Sequence, residues 1–290
     1  MIDCKTILLP NVFGGDVLQT ELLYSVLEEV PKAEQYLLDA RDISFVKPYG
    51  IIALLLSTRH LAARSKYPLQ VKNIPPIIHA YLQRMDFFDA CQTWLVTSDS
   101  PEDDWTRNAH TRNLLEITVI SGPDDVATVA QRTLQVFSRW LRISNLNNLI
   151  FVISELCSNI YQHSGDQYGC VLIQKYESKV YGQVSVHLAV GDLGCGIRGS
   201  LMTRHSDLGQ RPIDYLRAAM SGRTARQTGR GGLGLQRVEQ IVKQQGGYLW
   251  IRSETAGLLL QNSSRIIPKI SLPNLPGTQI ALGFESPLQT

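Results

Sequence analysis

Glu155, Asn159 and His163 recur four residues apart behind the apolar run Leu149-Ile150-Phe151-Val152-Ile153. Each such step on an α-helix turns a side chain by only about 40°, so carboxylate, carboxamide and imidazole share one narrow stripe. Leu156 and Ile160 continue the apolar face at helical spacing. A carboxylate is suited to general-base work, and a neutral amide oxygen is a hard ligand suited to Mg²⁺. The same triplet also suits an ordinary solvated helix face, so the stripe alone does not decide.

Two later stretches bear on it. Val184 to Val190 alternates as a strand does and runs into Gly191-Asp192-Leu193-Gly194-Cys195-Gly196-Ile197. A carboxylate at a strand end, followed by alternate glycines, suits a pocket where backbone approaches a flat ligand closely. Gly229-Arg230-Gly231-Gly232-Leu233-Gly234-Leu235 then opens a helical segment, 235–244. Glycines ahead of a helix start present free amides at the positive end of its dipole, which favours phosphate. The literal Gly-x-Gly-x-x-Gly is no dinucleotide fingerprint, because polar Ser221 to Thr228 stands where a strand is required. No Gly-Lys-Ser/Thr follows, so a Walker loop is excluded.

In this order and spacing the three stretches resemble the ATP-binding domain of the GHKL superfamily, which includes DNA gyrase and the histidine kinases. Glu155-x-x-x-Asn159 resembles its N box, Asp192-x-Gly194-x-Gly196 its G1 box, and Gly229 to Leu235 its G2 box. His163 points to the branch of anti-sigma-factor serine kinases, and Gly277-Thr278 resembles the pair that closes the domain. The resemblance covers roughly residues 112–284 and implies an α+β two-layer sandwich that binds ATP or ADP with Mg²⁺. It implies Glu155 as the catalytic base and Asn159 as the metal ligand. It implies a nucleotide site of Asn159, His163, Asp192, Gly194, Gly196, Gly229, Gly231, Gly232, Leu233, Gly234 and Thr278. Asp192 reads adenine: a buried carboxylate accepts from an exocyclic amino group, whereas a keto purine presents an acceptor and is repelled. His163 touches phosphate, orients the loop after the helix, or packs; the residues leave all three open. Arg223, Arg226 and Arg230 either meet triphosphate charge or lie as solvated surface cations. They lack the interleaved aromatics of a nucleic-acid surface.

The elements that must position these groups follow from periodicity. In the second half they are a strand at 114–120, a helix at 126–141 after Pro123 with Asp124 or Asp125 as cap, and the Glu155 helix from about Asn147. A hairpin of strands at 169–177 and 183–190 turns around 179–182. A long polar connection at 198–228, with one helical piece at 213–220, is expected to be a mobile lid. Helix 235–244, a strand at 248–251, an irregular stretch and a strand at 278–284 finish an antiparallel or mixed sheet.

The first half reads as an α/β order: strand 5–13, helix 16–29, strands 36–40 and 43–46, helix 51–65, strand 69–71 and helix 77–85. Leu37-x-x-Arg41-Asp42-Ile43-x-Phe45-Val46-x-Pro48-x-Gly50-x-x-x-Leu54 resembles the central motif of STAS domains, the anti-sigma-antagonist fold. Regulated antagonists carry a phosphorylatable Ser or Thr where this chain has Lys47-Pro48-Tyr49-Gly50. The expected organisation is a STAS-like domain at 1–96, a polar linker at 97–111 and the ATP-binding domain at 112–290.

A chain of 290 residues with 44% apolar and 19% charged residues can fill two cores. A net charge of +2 makes no general case for nucleic acid or a membrane surface, and no apolar run approaches the roughly 20 residues that span a bilayer. Five cysteines without a Cys-x-x-Cys pair read as reduced, buried thiols of a cytoplasmic protein. Two functions follow from the resemblances. One is an anti-sigma-type serine/threonine kinase or ATPase acting on a sigma factor, antagonist or other regulator. The other is an ATP-gated interaction module with little or no phosphoryl transfer. A homodimer is compatible with either.

Overall fold

The computed structural model describes residues 2–13, 16–98, 114–178, 183–223, 232–261 and 265–287. The chain forms two compact units, Met1–Thr111 with Pro273–Leu275, and Arg112–Leu272 with Pro276–Thr290.

In the first unit the order is β1 (Cys4–Leu8), β2 (Val12–Phe13), a 3₁₀ turn (Val17–Thr20), α1 (Glu21–Glu28), β3 (Gln35–Asp39), β4 (Phe45–Val46) and α2 (Pro48–Ala62). It continues with β5 (Leu69–Lys72), α3 (Pro76–Arg84), α4 (Phe87–Cys91) and β6 (Leu95–Thr97). Strands β1-β3-β5-β6 form a parallel sheet in that order. Asp16 caps the first turn, its carboxylate accepting from Leu18 N at 3.0 Å. Helix α2 starts three residues earlier than periodicity suggests, because Pro48 takes the first-turn position where no amide proton is needed. Ile51 to Leu56 are all buried, so α2 is covered on most sides and has no single apolar face. Strand β6 is too short to stand out beside the polar stretch that follows. Of the expected linker 97–111, residues 99–111 lie outside those described.

The second unit runs β7 (Leu114–Ile120), α5 (Pro123–Phe137), α6 (Ile143–Asn159), a π turn (Ile160–Ser164), β8 (Gly169–Ser178), β9 (Gln183–Gly191), α7 (Gly196–Met202), a 3₁₀ turn (Ser206–Leu208) and α8 (Pro212–Met220). Then come α9 (Gly234–Gln244), β10 (Tyr248–Glu254), β11 (Ala256–Gln261), β12 (Arg265–Lys269) and β13 (Leu275–Pro287). The seven-stranded sheet has the order β12-β11-β10-β13-β9-β8-β7. Its outer pairs β12–β11, β11–β10, β9–β8 and β8–β7 are antiparallel, as is β13–β9, registered from Gln279 opposite Gly191 to Pro287 opposite Gln183. Leu149, Val152, Ile153 and Leu156 of α6 pack with Val238, Ile241 and Val242 of α9 and with Leu188, Val190, Ile280 and Leu282 of the sheet in one buried cluster. Helix plus sheet in two layers is what the alternation of β9 and β13 demands.

Three expectations change. Of Asp124 and Asp125, it is Asp125 that caps α5, accepting from Ser121 Oγ at 2.7 Å, Ser121 N at 2.8 Å and Gly122 N at 3.0 Å; the hydroxyl first, then the amides, lower its carboxyl pKa. The stretch expected to be irregular is a hairpin, β10–β11, followed by β12. Glu254 takes the tight turn at φ 53°, and the run Leu258-Leu259-Leu260 is buried throughout, so it shows no alternation. The connection at 198–228 is largely built: α7 and α8 pack through Leu201, Tyr215 and Ala219, with Ile197, Leu208 and Leu235 against them. Residues up to 223 thus carry apolar contacts that a purely polar connection lacks; residues 224–228 lie outside those described.

Candidate nucleotide site

Helix α6 brings Glu155 and Asn159 to one face, and Asn159 Nδ2 donates to Glu155 Oε1 at 3.4 Å. The α-helix ends there. Ile160–Ser164 is a π turn, closed by Gly165 at φ 72°. A π turn rotates less per residue, so the winding changes after Asn159 while His163 stays on the side of Glu155 and Asn159. His163 still lines the cleft, and its carbonyl accepts from Cys195 Sγ at 3.1 Å.

The loop after β9 is stapled to this turn. Cys195 N donates to the Ser164 carbonyl at 2.8 Å, and Leu193 N donates to Asp166 Oδ2 at 2.7 Å. A Cβ on Gly194 would stand 2.0 Å from Ser164 O and 2.5 Å from Ser164 C. The alternate glycines were expected to let backbone approach a ligand; here Gly194 lets the loop approach the backbone of the π turn. Gly196 sits at φ 68°, where a Cβ would meet Ser253 Oγ at 2.8 Å. Ser253 Oγ in turn accepts from Ile197 N and donates to the Gly277 carbonyl, both at 3.0 Å.

Asp192 is 4% exposed. Its Oδ1 accepts from Gly194 N at 2.8 Å and Thr278 N at 3.3 Å, while Asp192 N donates to Thr278 O at 3.0 Å. Gly277, at φ 83°, lies against the Asp192 carbonyl, where a Cβ would stand 2.1 Å from that oxygen. Gly277 and Thr278 therefore close the far strand onto the carboxylate.

At the other end, Gly234 begins α9 directly beside Glu155; a Cβ there would meet Oε1 at 1.8 Å. Gly232 has φ 92°, and Leu233 is 65% exposed. Gly229, Gly231, Arg226 and Arg230 lie outside the described residues. Arg223 lines the cleft, and its Nη1 donates to Asp207 Oδ2 at 2.7 Å, which lowers the Asp207 carboxyl pKa. The cleft spans about 840 Å³, counting the part open to solvent. Its walls are apolar at Ile160, Val190, Ile197, Leu201, Ala219 and Ile280, and its polar groups are few and convergent. That is the form of a site for a flat heterocycle with a polar tail.

Residues 145–275 match the family model of the histidine kinase-, DNA gyrase B-, and HSP90-like ATPases. The second unit carries a GHKL-type ATPase domain. ATP and ADP are the ligands of such domains. No curated protein matches the chain. The matched segment begins within α6 and stops short of Thr278, whose N donates to Asp192 Oδ1 at 3.3 Å.

Of the residues expected from sequence, Glu155, Asn159, His163, Asp192, Gly196, Gly232, Gly234 and Thr278 line one cleft. Gly194 supports it from the loop behind. Ser164, Asp166 and Ser253 were missed. They are scattered polar residues whose role is to hold other backbone, and only spatial contact reveals it. Among the described residues no helix is long and apolar enough to cross a membrane. Cys91, Cys157 and Cys170 are buried free thiols, but Cys4 and Cys195 are exposed, contrary to the expectation that all five are buried. Burial pushes the Cys91 thiol up to about 12.

Proposed function

We propose that the protein is a cytoplasmic ATP-dependent regulator, an anti-sigma-type serine/threonine kinase or ATPase with a STAS-like domain in the same chain. The observation that carries this is the convergence of Glu155, Asn159, Asp192 and Thr278 on one apolar-walled cleft beside the start of α9. In this reading Asp192 accepts from the exocyclic amino group of adenine, the amides at the start of α9 meet phosphate oxygens, and Glu155 takes the proton from the attacking hydroxyl or water. Glu155 lies within one helical turn of Asn159 and against Gly234 at the start of α9, which supports reading it as a base at the phosphate end.

The residues fit Mg²⁺ in one respect. The ion would be held by Asn159 Oδ1 together with phosphate oxygens and waters, since a neutral amide oxygen suits this hard cation. Bound there, it would neutralise charge on the phosphates. Asn159 Nδ2 is turned to Glu155, which orients the amide for such a role.

A second reading, an ATP-gated interaction module, is favoured by the first unit. Pro48 occupies the start of α2, and Ser57 and Thr58 are 1% and 2% exposed, so no accessible acceptor stands on that helix. Ser44 is exposed, but its Oγ donates to the Asn11 carbonyl at 3.2 Å. The free thiols support a reducing compartment. The test is incubation of the purified chain with Mg²⁺ and γ-labelled ATP, with and without candidate regulators. Label on a partner's Ser or Thr supports the kinase, released phosphate the ATPase, and neither, with ATP still bound, the gated module. No ATP binding at all refutes the proposal.

A further inference from the structure

A guanidinium is fully enclosed behind the cleft. Arg252 on β10 and Gln279 on β13 are both 0% exposed. β10 and β13 are neighbours in the sheet. Alternation along β13 sends Thr278 and Ile280 into the cleft and Gln279 to the opposite face. Arg252 Nη1 donates to Gln279 Oε1 at 3.2 Å. Gln279 Nε2 donates to the Asp192 carbonyl at 2.9 Å and to the Pro276 carbonyl at 3.0 Å.

These bonds admit one orientation of the amide. Its nitrogen faces two carbonyls, and its oxygen faces a guanidinium, which has donors and no acceptor; a flipped amide would oppose like to like at every contact. An enclosed arginine is costly unless its donors are satisfied, and a leucine or methionine would fill a sheet position without that cost. The network ends on the backbone of Asp192, the residue whose carboxylate is held by Gly194 N and Thr278 N.

We propose that Gln279 and Arg252 are positioning residues that set which purine the cleft accepts, by fixing the Asp192 peptide and through it the direction of the carboxylate. This rests on the reading of Asp192 as the group that meets the base. The Asp192 carbonyl is clasped between the Gln279 amide and the Gly277 backbone. Releasing the amide lets that peptide turn, which lengthens the bonds to Gly194 N and Thr278 N and swings the carboxylate. Apolar walls still hold any purine, so what is lost is the preference for an amino over a keto group, more than affinity as such.

The experiment measures Kd for ATP and GTP by calorimetry on the full chain, with melting curves. The variants are Asp192→Asn, Gln279→Met, Arg252→Met and Arg252→Lys. Gln279→Met and Arg252→Met should lower the ATP-over-GTP preference about tenfold, the scale of one lost hydrogen bond, chiefly through ATP. Arg252→Lys keeps a donor for the Gln279 oxygen and should retain most of the preference. A role in packing alone lowers both affinities together and leaves their ratio at the wild-type value, which would overturn the proposal. If Asp192→Asn abolishes the preference while the Gln279 and Arg252 variants keep it, the proposal fails and the role of Asp192 stands. If Asp192→Asn keeps the preference, both fall. Should the methionine variants not fold, Gln279→Asn, which cannot span the Asp192 carbonyl and Arg252 together, is read by the same ratio.

Discussion

Two glycines of the site should respond in opposite ways to one added methyl group. At Gly194 the new Cβ would stand 2.0 Å from Ser164 O and 2.5 Å from Ser164 C, both backbone atoms of a closed π turn. Ordinary contact needs more than an ångström of retreat, so the loop has to lift and the Cys195 N to Ser164 O bond of 2.8 Å is lost. Overpacking of this kind costs about 1–3 kcal/mol, and the lost hydrogen bond adds roughly 1 kcal/mol, for a total of ~2–4 kcal/mol. If nucleotide binding requires the loop docked, ATP affinity falls by roughly 30- to 700-fold. At Gly234 the Cβ would meet only the Glu155 side chain, at 1.8 Å from Oε1 and 2.0 Å from Cδ, and a side chain can swing away. Gly234 is the first residue of α9, where alanine's interior helix preference counts for little and its strain is small. Gly234→Ala should therefore melt at or near the wild-type temperature while displacing the Glu155 carboxylate and slowing turnover. Calorimetric ATP titration, thermal melting by circular dichroism and phosphate release, run on both variants, check this. A Gly194→Ala protein that binds ATP as wild type does, or a Gly234→Ala protein that loses its fold, would refute the contact argument.

Glu155→Gln keeps shape and removes the base, so it should leave ATP affinity nearly unchanged while transfer or hydrolysis falls by about 10²–10⁴-fold. Asn159→Ala should instead weaken ATP binding in the presence of Mg²⁺ and do so less in its absence; equal loss in both would remove the metal role. In the first unit, Arg41 donates to Asp39 with Nε at 3.0 Å from both carboxylate oxygens, and Asn73 Nδ2 donates at 2.9 Å; the Arg41 bond first, then Asn73, holds the Asp39 carboxyl far below its ordinary value. A depressed carboxyl contributes stability that is fully present above its unfolded value of about 4 and is lost as pH falls from there through the lower folded value. Arg41→Gln should lower stability at neutral pH and flatten its fall as pH drops below about 4, and an acid titration that matches wild type would show the pair contributes nothing.

Much of the site was legible because its chemistry depends on residue types at fixed short spacings. Four residues on one helix must put Glu155 beside Asn159 whatever surrounds them, and a strand ending in Gly191-Asp192 must deliver a carboxylate at its tip. Glycines at 194, 196 and 234 announced close approach, but not to what. Tertiary structure decided that: Gly194 meets the Ser164 carbonyl and Gly234 the Glu155 carboxylate. It also ended the α winding of α6 in a π turn, which periodicity cannot foretell because the same residues suit either winding. The hairpin β10–β11 was illegible because a strand buried on both faces loses its alternation, and α7 because seven residues carry too little pattern. Arg252 and Gln279 lie 27 residues apart. Nothing in their local sequence pairs them, and only the sheet, by setting β10 beside β13, brings a buried charge behind the Asp192 peptide.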